Sequence, residues 1–385
     1  MSNSPKRRSG RTKTPNINTK VTKKKKGNKN NNDKDVVEKD TELAVKPVNP
    51  MIDFFLGTCY IGLCLYLLYH LVHKERYMLT FFTISLIIVG FGINLVTFCS
   101  KYIAIFISSK LRSSKNIPKD CRNPMKSPLL LRKFCDQSWQ LTIHTLMSIA
   151  EIYLIFFSND GKNSKWWTNP ETCFQPCPHD FIDGNAKHSI EMQYFYLFQL
   201  AIWVYTAFSC KWLESRRKDY VEMMTHHVAT ICLVSASFLY EEHNVGLVIL
   251  FIHDFSDIVL DLMKLCNYLK LEDSHGFYIV ETVFALNIVA VWPYLRLYYF
   301  PVNVIWGGSF NGYAKYCGPV KEDDFFLRVE ACKKLGSCYT GGMLLCLLTC
   351  LHLFWYGLML RILYKIITGK SKPNDAGKEV YEGED

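Results

Sequence analysis

Eight apolar stretches of helix length constrain what this chain of 385 residues can fold into. A helix needs about 20 mostly apolar residues to cross the hydrocarbon core of a bilayer. The stretches that approach this length are residues 51–71, 79–107, 139–157, 192–212, 221–240, 245–265, 277–299 and 340–366. What remains between them is too short for a soluble catalytic domain. The sequence therefore predicts an all-α polytopic membrane protein with about eight transmembrane helices.

The two ends of the chain lie outside these stretches and differ in charge. Residues 1–46 are rich in Lys and Asn and contain almost no large apolar side chains, so we expect a disordered basic tail. The lysine run at residues 23–26 is compatible with nucleic-acid binding. A basic tail beside a membrane helix is better explained by attraction to anionic lipid, so no nucleic-acid partner is predicted. Residues 370–385 are expected to form an acidic tail.

Loop charge predicts the orientation of the helices. Lys and Arg concentrate on the cytosolic side of membrane proteins. If the N-terminus is cytosolic, the strongly basic loop near residues 110–133 and the basic segment 211–218 both face the cytosol. Eight crossings then leave both termini in the cytosol. Five cysteines fall in the two large loops on the opposite side, where at least one disulfide is expected: Cys173, Cys177, Cys317, Cys332 and Cys338.

Two neighbouring apolar segments carry ionisable residues that are costly inside a bilayer. The first contains His226 and His227, and the second contains His253, Asp254 and Asp257. Such residues usually face a cavity and mark a function. If the two segments form a hairpin that turns near residue 242, the carboxylates come within one turn of the histidine pair in depth. With a rise of about 1.5 Å per residue, the site lies on the order of 10 Å below the cytosolic surface.

The second segment also continues its polar pattern toward its end. Asp254, Asp257, Asp261 and Lys264 are three or four residues apart and share one face of a helix. The adjacent His226 and His227 point about 100° apart, so one is expected to react and the other to orient it or to contact substrate.

Two other interpretations of these residues stay open at this point. The histidines and carboxylates could simply hydrogen-bond to lock two helices together. Alternatively, His226, His227, His253 and Asp254 or Asp257 could be the ligands of a metal-dependent lipid hydrolase or hydroxylase. The clustered histidine boxes of di-iron membrane enzymes are missing, however, and no metal site is predicted.

Several short motifs give this chain a family resemblance. The histidine pair, Asn244-Val-Gly246, His253-Asp254-Phe-Ser-Asp257, Lys264 and Tyr268 together resemble the Lag1 motif of ceramide synthases. The segment Lys133–Trp139, the lead-in Lys218-Asp219-Tyr220 and the late run Leu351–Trp355 are similar to further motifs of that family. The resemblance covers roughly residues 126–369, and its combined spacing is specific.

The resemblance implies a fold, a domain organisation and a location. Six helices would form a TLC-type barrel around an intramembrane chamber. Residues 47–125 would hold two additional transmembrane helices and a basic cytosolic loop, and residues 126–369 would be the catalytic TLC domain. Ceramide synthases act in the endoplasmic reticulum membrane, so the bilayer is an implied partner. A homo- or hetero-oligomer, or a small accessory subunit, is compatible with the resemblance.

The resemblance also implies an activity, the N-acylation of a sphingoid base with a fatty acyl-CoA. Acyl-CoA is then a co-substrate, and no bound cofactor is predicted. A neutral histidine can take the proton of the amine, or can itself accept the acyl group. A non-enzymatic TLC-type membrane protein is the remaining alternative. It would have no need for an intramembrane histidine pair near carboxylates.

Roles follow for individual residues. We expect His226, His227, Asp254 and Asp257 to be catalytic, with the carboxylates orienting imidazole as in a catalytic triad. The expected substrate-binding residues, including cations for the CoA phosphates, are His253, Asp261, Lys133, Trp139, Arg217 and Lys218.

Four further polar residues in the apolar segments have no catalytic role assigned to them. Arg296 is expected to extend to the membrane interface. His144 and Glu151 lie seven residues apart, so they either line the chamber or form a structural pair. The same choice applies to His352.

Overall fold

The computed structural model describes most of the predicted membrane domain. The described ranges are residues 49–74, 76–111, 125, 127–158, 161, 165–174, 189–214, 219–240, 242–269, 279–312 and 325–370. The predicted disordered tail 1–46 lies outside these ranges, as do Arg217, Lys218 and nearly all of the tail 370–385. Side chains are not described for residues 325–340.

Eight helices account for most of the described chain. They are α1 Pro50–Lys74, α2 Arg76–Leu111, α3 Pro128–Phe156, α4 Ile190–Phe208, α5 Tyr220–Leu239, α6 His243–Tyr268, α7 Ile279–Leu286 and α8 Phe325–Ile367. α4 continues into a π-helical turn, Ser209–Leu213, and α7 continues through π-helical segments at Asn287–Val291 and Pro293–Gly312. The described ranges contain no β-strand. Each of the eight predicted apolar stretches coincides with a helical segment, so the all-α prediction is confirmed.

Four of the described helical segments are long and apolar enough to cross a membrane. They are Pro50–His73, Arg76–Lys110, Thr282–Ser309 and Gly341–Ile367. The protein is therefore a multi-pass helical membrane protein, and the eight spans and the barrel stay a prediction. The four helices that do not qualify, α3 to α6, carry most of the buried polar side chains described below, and these residues lower the mean hydropathy.

Hydrogen bonds at the helix starts explain where two of these helices begin. Ser127 precedes α3, and its hydroxyl oxygen accepts a hydrogen bond from the backbone N–H of Leu130. Pro128 occupies the first helical position, where a missing N–H costs nothing. Ser189 caps α4 in the same way through the N–H of Met192. Serine side chains at such positions satisfy otherwise unpaired donors.

Helix packing differs from a simple chain of neighbouring hairpins. The most extensive helix contact joins α3 to α6, and α2 packs against α3 and α4. By contrast, α5 and α6 contact each other sparingly, although only residues 240–242 connect them. The predicted hairpin therefore opens, and the face of α6 that carries its carboxylates meets α3.

The turn between α5 and α6 is held by a close approach to α4. The hydroxyl of Tyr196 donates to the backbone carbonyl of His243 at 2.7 Å and lies 3.1 Å from the hydroxyl of Ser237. A Cβ atom at Gly246 would collide with both hydroxyl oxygens. Glycine is therefore required here because a larger residue would push α6 away from α4.

An ionic contact fixes the beginning of α1. Asp53 accepts hydrogen bonds from the ammonium of Lys211 and from the hydroxyl of Tyr220, the latter at 2.7 Å. α1 therefore contacts the residues that end α4 and begin α5.

Candidate active site

A buried amide joins three helices at the centre of the domain. Gln199 of α4 is 1% exposed, and its Nε2 donates to Glu151 Oε1 at 3.1 Å and to Asp254 Oδ2 at 2.8 Å. Buried polar groups of this kind are stable only when hydrogen-bonded. Gln199 therefore ties the carboxylate of α6 to that of α3.

The last carboxylate on the same face of α6, Asp261, is also paired with α3. Asp261 Oδ1 accepts from Gln137 Nε2 at 2.5 Å, and its Oδ2 lies 2.7 Å from His144 Nδ1. A carboxylate oxygen accepts the hydrogen that Nδ1 donates. His144 and Glu151 thus both bond the carboxylate face of α6, directly or through Gln199.

Arg296 is buried, and the prediction that it extends to the membrane interface is wrong. Its side chain is 3% exposed, and Nη2 donates to Asp257 Oδ1 at 2.6 Å. Nε donates to Ser256 Oγ at 2.6 Å, and the guanidinium lies 4.4 Å from the ring centroid of Trp292. A guanidinium accepts burial when a carboxylate and further acceptors surround it. The sequence prediction considered only that Arg296 lies near a helix end, whereas the acceptors of its guanidinium come from α6.

An apolar cavity of about 990 Å³, including the space at its mouth, lies between α4, α5, α6 and α8. Most of its wall is hydrophobic, with contributions from Leu233, Val234, Leu250, Leu345 and Leu348. Two of the predicted site residues, His226 and His253, are part of the wall. The cavity separates α5 from α6, which explains why these two helices contact each other so little.

Two tryptophans hold the ring of His226. The ring meets Trp203 and Trp355 edge to face, with centroid distances of 5.6 and 5.5 Å. Trp355 is itself fixed, because its Nε1 donates to Asp219 Oδ2 at 3.3 Å. His226 Nδ1 has no hydrogen-bond partner among the described residues. His226 is thus a rigidly placed imidazole whose ring lines an apolar cavity and whose buried Nδ1 has no described partner.

His227 and His253 differ from His226 in their surroundings. The ring centroid of His227 lies 5.8 Å from those of His226 and Trp203, and its side chain is buried. His253 has both ring nitrogens engaged. Nδ1 lies 2.6 Å from the carbonyl of Ile249, and Nε2 lies 3.1 Å from Nε2 of His352.

The structure brings only some of the predicted residues to the cavity. His226 and His253 line it, whereas the described hydrogen bonds of Asp254 and Asp257 go to Gln199 and Arg296. Trp139 is buried, and its ring packs where α3 meets Gly92 of α2. The proposed role of Lys133 and Trp139 in substrate binding stays a prediction.

Sequence reasoning missed two residues of the site, Gln199 and Trp203. Gln199 is a single amide within a long apolar run, which is the one signal that could have identified it. Trp203 lies one turn later on the same helix, so it could have been placed near the same face.

The arrangement of acids and histidines bears on the metal alternative. Within the part of the chain that the structure describes, no three His, Cys, Asp or Glu side chains are grouped so that they could hold a metal ion. The proposed ligands instead bind different neighbours, since Asp254 pairs with Gln199 and Asp257 with Arg296.

Fold and site together define a helical membrane protein with a buried network of carboxylates and a histidine-lined apolar cavity. The family model described as the TLC domain matches residues 133–361. This match covers more than half of the chain and includes α3 to α6 and the cavity-lining part of α8. The chain belongs to the TLC domain family.

Ceramide synthases are among the relatives that resemble this chain. The chain is 27% identical over 258 residues to Ceramide synthase 1 LOH3 of Arabidopsis thaliana, covering 66% of this chain and 76% of that protein. It is 25% identical to Ceramide synthase LOH1 of Arabidopsis thaliana, covering 71% of this chain and 81% of the relative. Identity to human Ceramide synthase 1 is 26%, and the match covers 62% of each chain.

Proposed function

We propose that this chain is a ceramide synthase that transfers the acyl group of a fatty acyl-CoA to the amine of a sphingoid base. The observation that carries this proposal is His226, a fixed imidazole whose ring lines an apolar cavity and whose buried Nδ1 has no described partner. The similarity to several ceramide synthases supports it independently. Neither the metal-dependent hydrolase nor the non-enzymatic protein is favoured by these relatives.

The chemistry assigned to His226 follows from which imidazole nitrogens are engaged. Both nitrogens of His253 have partners, so His253 is not poised to attack or to take a proton. His226 can act as a base that removes the proton of the amine while the amine nitrogen attacks the thioester carbonyl; the C–S bond then breaks and the thiolate takes the proton from the imidazolium. Alternatively, it can attack the thioester itself. The C–S bond then breaks, the thiolate takes up a proton, and the acyl-imidazole passes its acyl group to the amine.

The carboxylates support the site by placing α6. In this proposal Asp254 fixes α6 to α3 and α4 through Gln199, and Asp257 fixes it to the π-helical segment through Arg296. Asp219 has a comparable role for His226, because it holds Trp355 against the imidazole. His227 packs beside His226 and limits the rotation of its neighbour's ring.

The cavity supplies the binding energy for the lipid part of the reaction. Its largely hydrophobic wall suits an alkyl chain, since burial of apolar surface contributes about 25 cal/mol per Å². We assign the phosphates of CoA to cations on the cytosolic side of the protein, and Lys133, Arg217 and Lys218 are the candidates. Gln137 and His144 hold Asp261 by hydrogen bonds, and we assign Asp261 the role of fixing α6 to α3.

The active unit is either this chain, an oligomer or a complex with a small accessory subunit.

Mass spectrometry after exposure to acyl-CoA alone tests the role of His226. If the acyl-imidazole route operates, acid-quenched protein carries the acyl mass on the peptide that contains His226. The variant His226→Ala should lack the adduct, whereas replacement of the exposed His73 of α1 should leave it unchanged. Acyl transfer without any adduct would assign the base route. Absence of both adduct and transfer in a folded, purified protein would contradict the proposed function.

We further propose that the protein resides in the endoplasmic reticulum membrane with both termini in the cytosol. Cys173 is buried and has a free thiol in the structure, and the expected disulfide among the five loop cysteines stays a prediction. The other four cysteines of the two large loops lie in segments whose side chains the structure does not describe.

Thiol labelling tests this orientation. In sealed vesicles with the cytosolic face outward, a membrane-impermeant maleimide should modify Cys121 and should spare Cys177, Cys317, Cys332 and Cys338 even after reduction. Permeabilised vesicles are the control in which the second set becomes reactive. Modification of the second set in sealed vesicles would reverse the orientation.

A further inference from the structure

Two histidines from distant parts of the chain face each other beside the cavity. His253 on α6 and His352 on α8 are 99 residues apart, and their Nε2 atoms are separated by 3.1 Å. His352 is 0% exposed, and His253 belongs to the cavity wall. Both rings pack edge to face on Phe300, with centroid distances of 5.1 Å for His253 and 5.4 Å for His352.

The hydrogen-bond geometry determines which nitrogen of each ring carries a hydrogen. A backbone carbonyl only accepts, so His253 Nδ1, at 2.6 Å from the Ile249 carbonyl, must donate. When His253 is neutral, its Nε2 is then a bare acceptor. A hydrogen bond between two imidazole nitrogens needs a hydrogen on one of them. Because Nε2 of His253 has none, this hydrogen is on Nε2 of His352. This leaves Nδ1 of His352 bare, in agreement with its lack of a described partner.

The surroundings hold both rings in these orientations. The backbone carbonyl of His352 accepts from Nε1 of Trp292 at 3.3 Å. The backbone carbonyl of His253 accepts from Arg296 Nη2 and from the hydroxyl of Ser256, each at 3.0 Å. The guanidinium of Arg296 also lies over the ring of Trp292. Arg296 therefore contacts the backbone of His253 directly and contacts the tryptophan that binds the backbone of His352.

We propose that His352 is a positioning residue that occupies the free nitrogen of His253 and keeps His253 from acting as a second base or acyl acceptor. The N–H of His352 donates to Nε2 of His253, fixes its tautomer and restrains its ring at the cavity wall. His226 then remains the single reactive imidazole of the cavity. This inference rests on the proposed acyl transfer for its functional meaning, but the hydrogen bond itself can be tested without turnover.

Two substitutions at His352 separate the hydrogen bond from the packing. The amide nitrogen of a glutamine lies close to where Nε2 of histidine lies, so His352→Gln retains a donor toward His253. His352→Leu fills similar space with no donor and leaves Nε2 of His253 bare. Thermal stability of the purified protein in detergent shows whether each variant is folded.

Reaction with diethyl pyrocarbonate, mapped by mass spectrometry, reports the free nitrogens. In the unmodified protein His226 should react and His253 should resist, because both nitrogens of His253 are engaged. In His352→Leu, which loses the hydrogen bond, we expect His253 to react about tenfold faster. In His352→Gln, which retains the hydrogen bond, His253 should react at a rate near that of the original protein. This readout does not depend on acyl transfer, so it stays informative even if the proposed function fails.

Steady-state kinetics connect the hydrogen bond to the reaction. A released His253 competes with His226 for the amine proton or the acyl group, so His352→Leu should lower kcat about tenfold while KM for acyl-CoA changes less than about twofold. His352→Gln retains the hydrogen bond and should keep most of kcat. Equal reactivity of His253 in the original protein and in His352→Leu would overturn the proposal. So would a folded His352→Gln variant in which His253 reacts as fast as in His352→Leu. If His352→Leu does not fold, the proposal is still tested by the original protein, in which rapid modification of His253 would overturn it.

Discussion

Replacement of His226 by alanine is expected to remove acyl transfer almost completely. The imidazole lies at the cavity wall between Trp203 and Trp355, and its Nδ1 has no competing partner among the described residues. Loss of a positioned base or nucleophile lowers the rate by about two to four orders of magnitude. Release of free CoA and formation of radiolabelled amide from a sphingoid base both measure this loss in purified protein.

The two neighbouring histidines should respond to different degrees. His227→Ala is also expected to reduce activity, because its ring lies 5.8 Å from that of His226 and restrains it. The reduction should be smaller than for His226→Ala, since His226 is the member of the pair that contributes to the cavity wall. Replacement of the exposed His73 on α1 is the matched control and should leave the rate unchanged. Near-normal activity of His226→Ala would remove the catalytic assignment, because no other unengaged imidazole is described at the cavity.

The helices could be predicted from the sequence because their signal is local. A run of apolar residues of sufficient length predicts a helix regardless of what packs against it. Each predicted stretch therefore coincides with a helical segment. The same local signal selected His226 and His253, since a histidine within an apolar run is conspicuous, and both line the cavity.

The partners of the carboxylates could not be predicted because they depend on how distant helices pack. Asp261 binds Gln137 across 124 residues, and Asp257 binds Arg296 across 39 residues. Mirroring residues about the turn between α5 and α6 assumed that these helices lie side by side. The cavity separates them instead, so the carboxylate face of α6 meets α3 and the π-helical segment.

Breaking the ion pair between Arg296 and Asp257 should strongly destabilise the domain. Arg296 is 3% exposed at its side chain, whereas Asp257 is 24% exposed. Removal of one member of a buried pair leaves the other as an uncompensated charge and costs about 3–5 kcal/mol. Asp257→Leu strands the more deeply buried charge, so it should be more damaging than Arg296→Met. The midpoint of thermal unfolding of the purified protein in detergent measures both effects.

The double variant Asp257→Leu with Arg296→Met distinguishes loss of a charge partner from loss of shape. It removes both charges, so it should recover much of the stability that Asp257→Leu loses, because apolar replacements of a buried ion pair are often neutral. The exposed pair Arg132–Asp136, 3.9 Å apart and with side chains 60% and 57% exposed, is the matched control. Asp136→Ala should cost less than about 1 kcal/mol, as is usual for a surface ion pair. If the double variant is no more stable than Asp257→Leu, then the specific hydrogen bonds of Arg296 to Ser256 and to the His253 carbonyl, rather than charge balance, hold α6 in place.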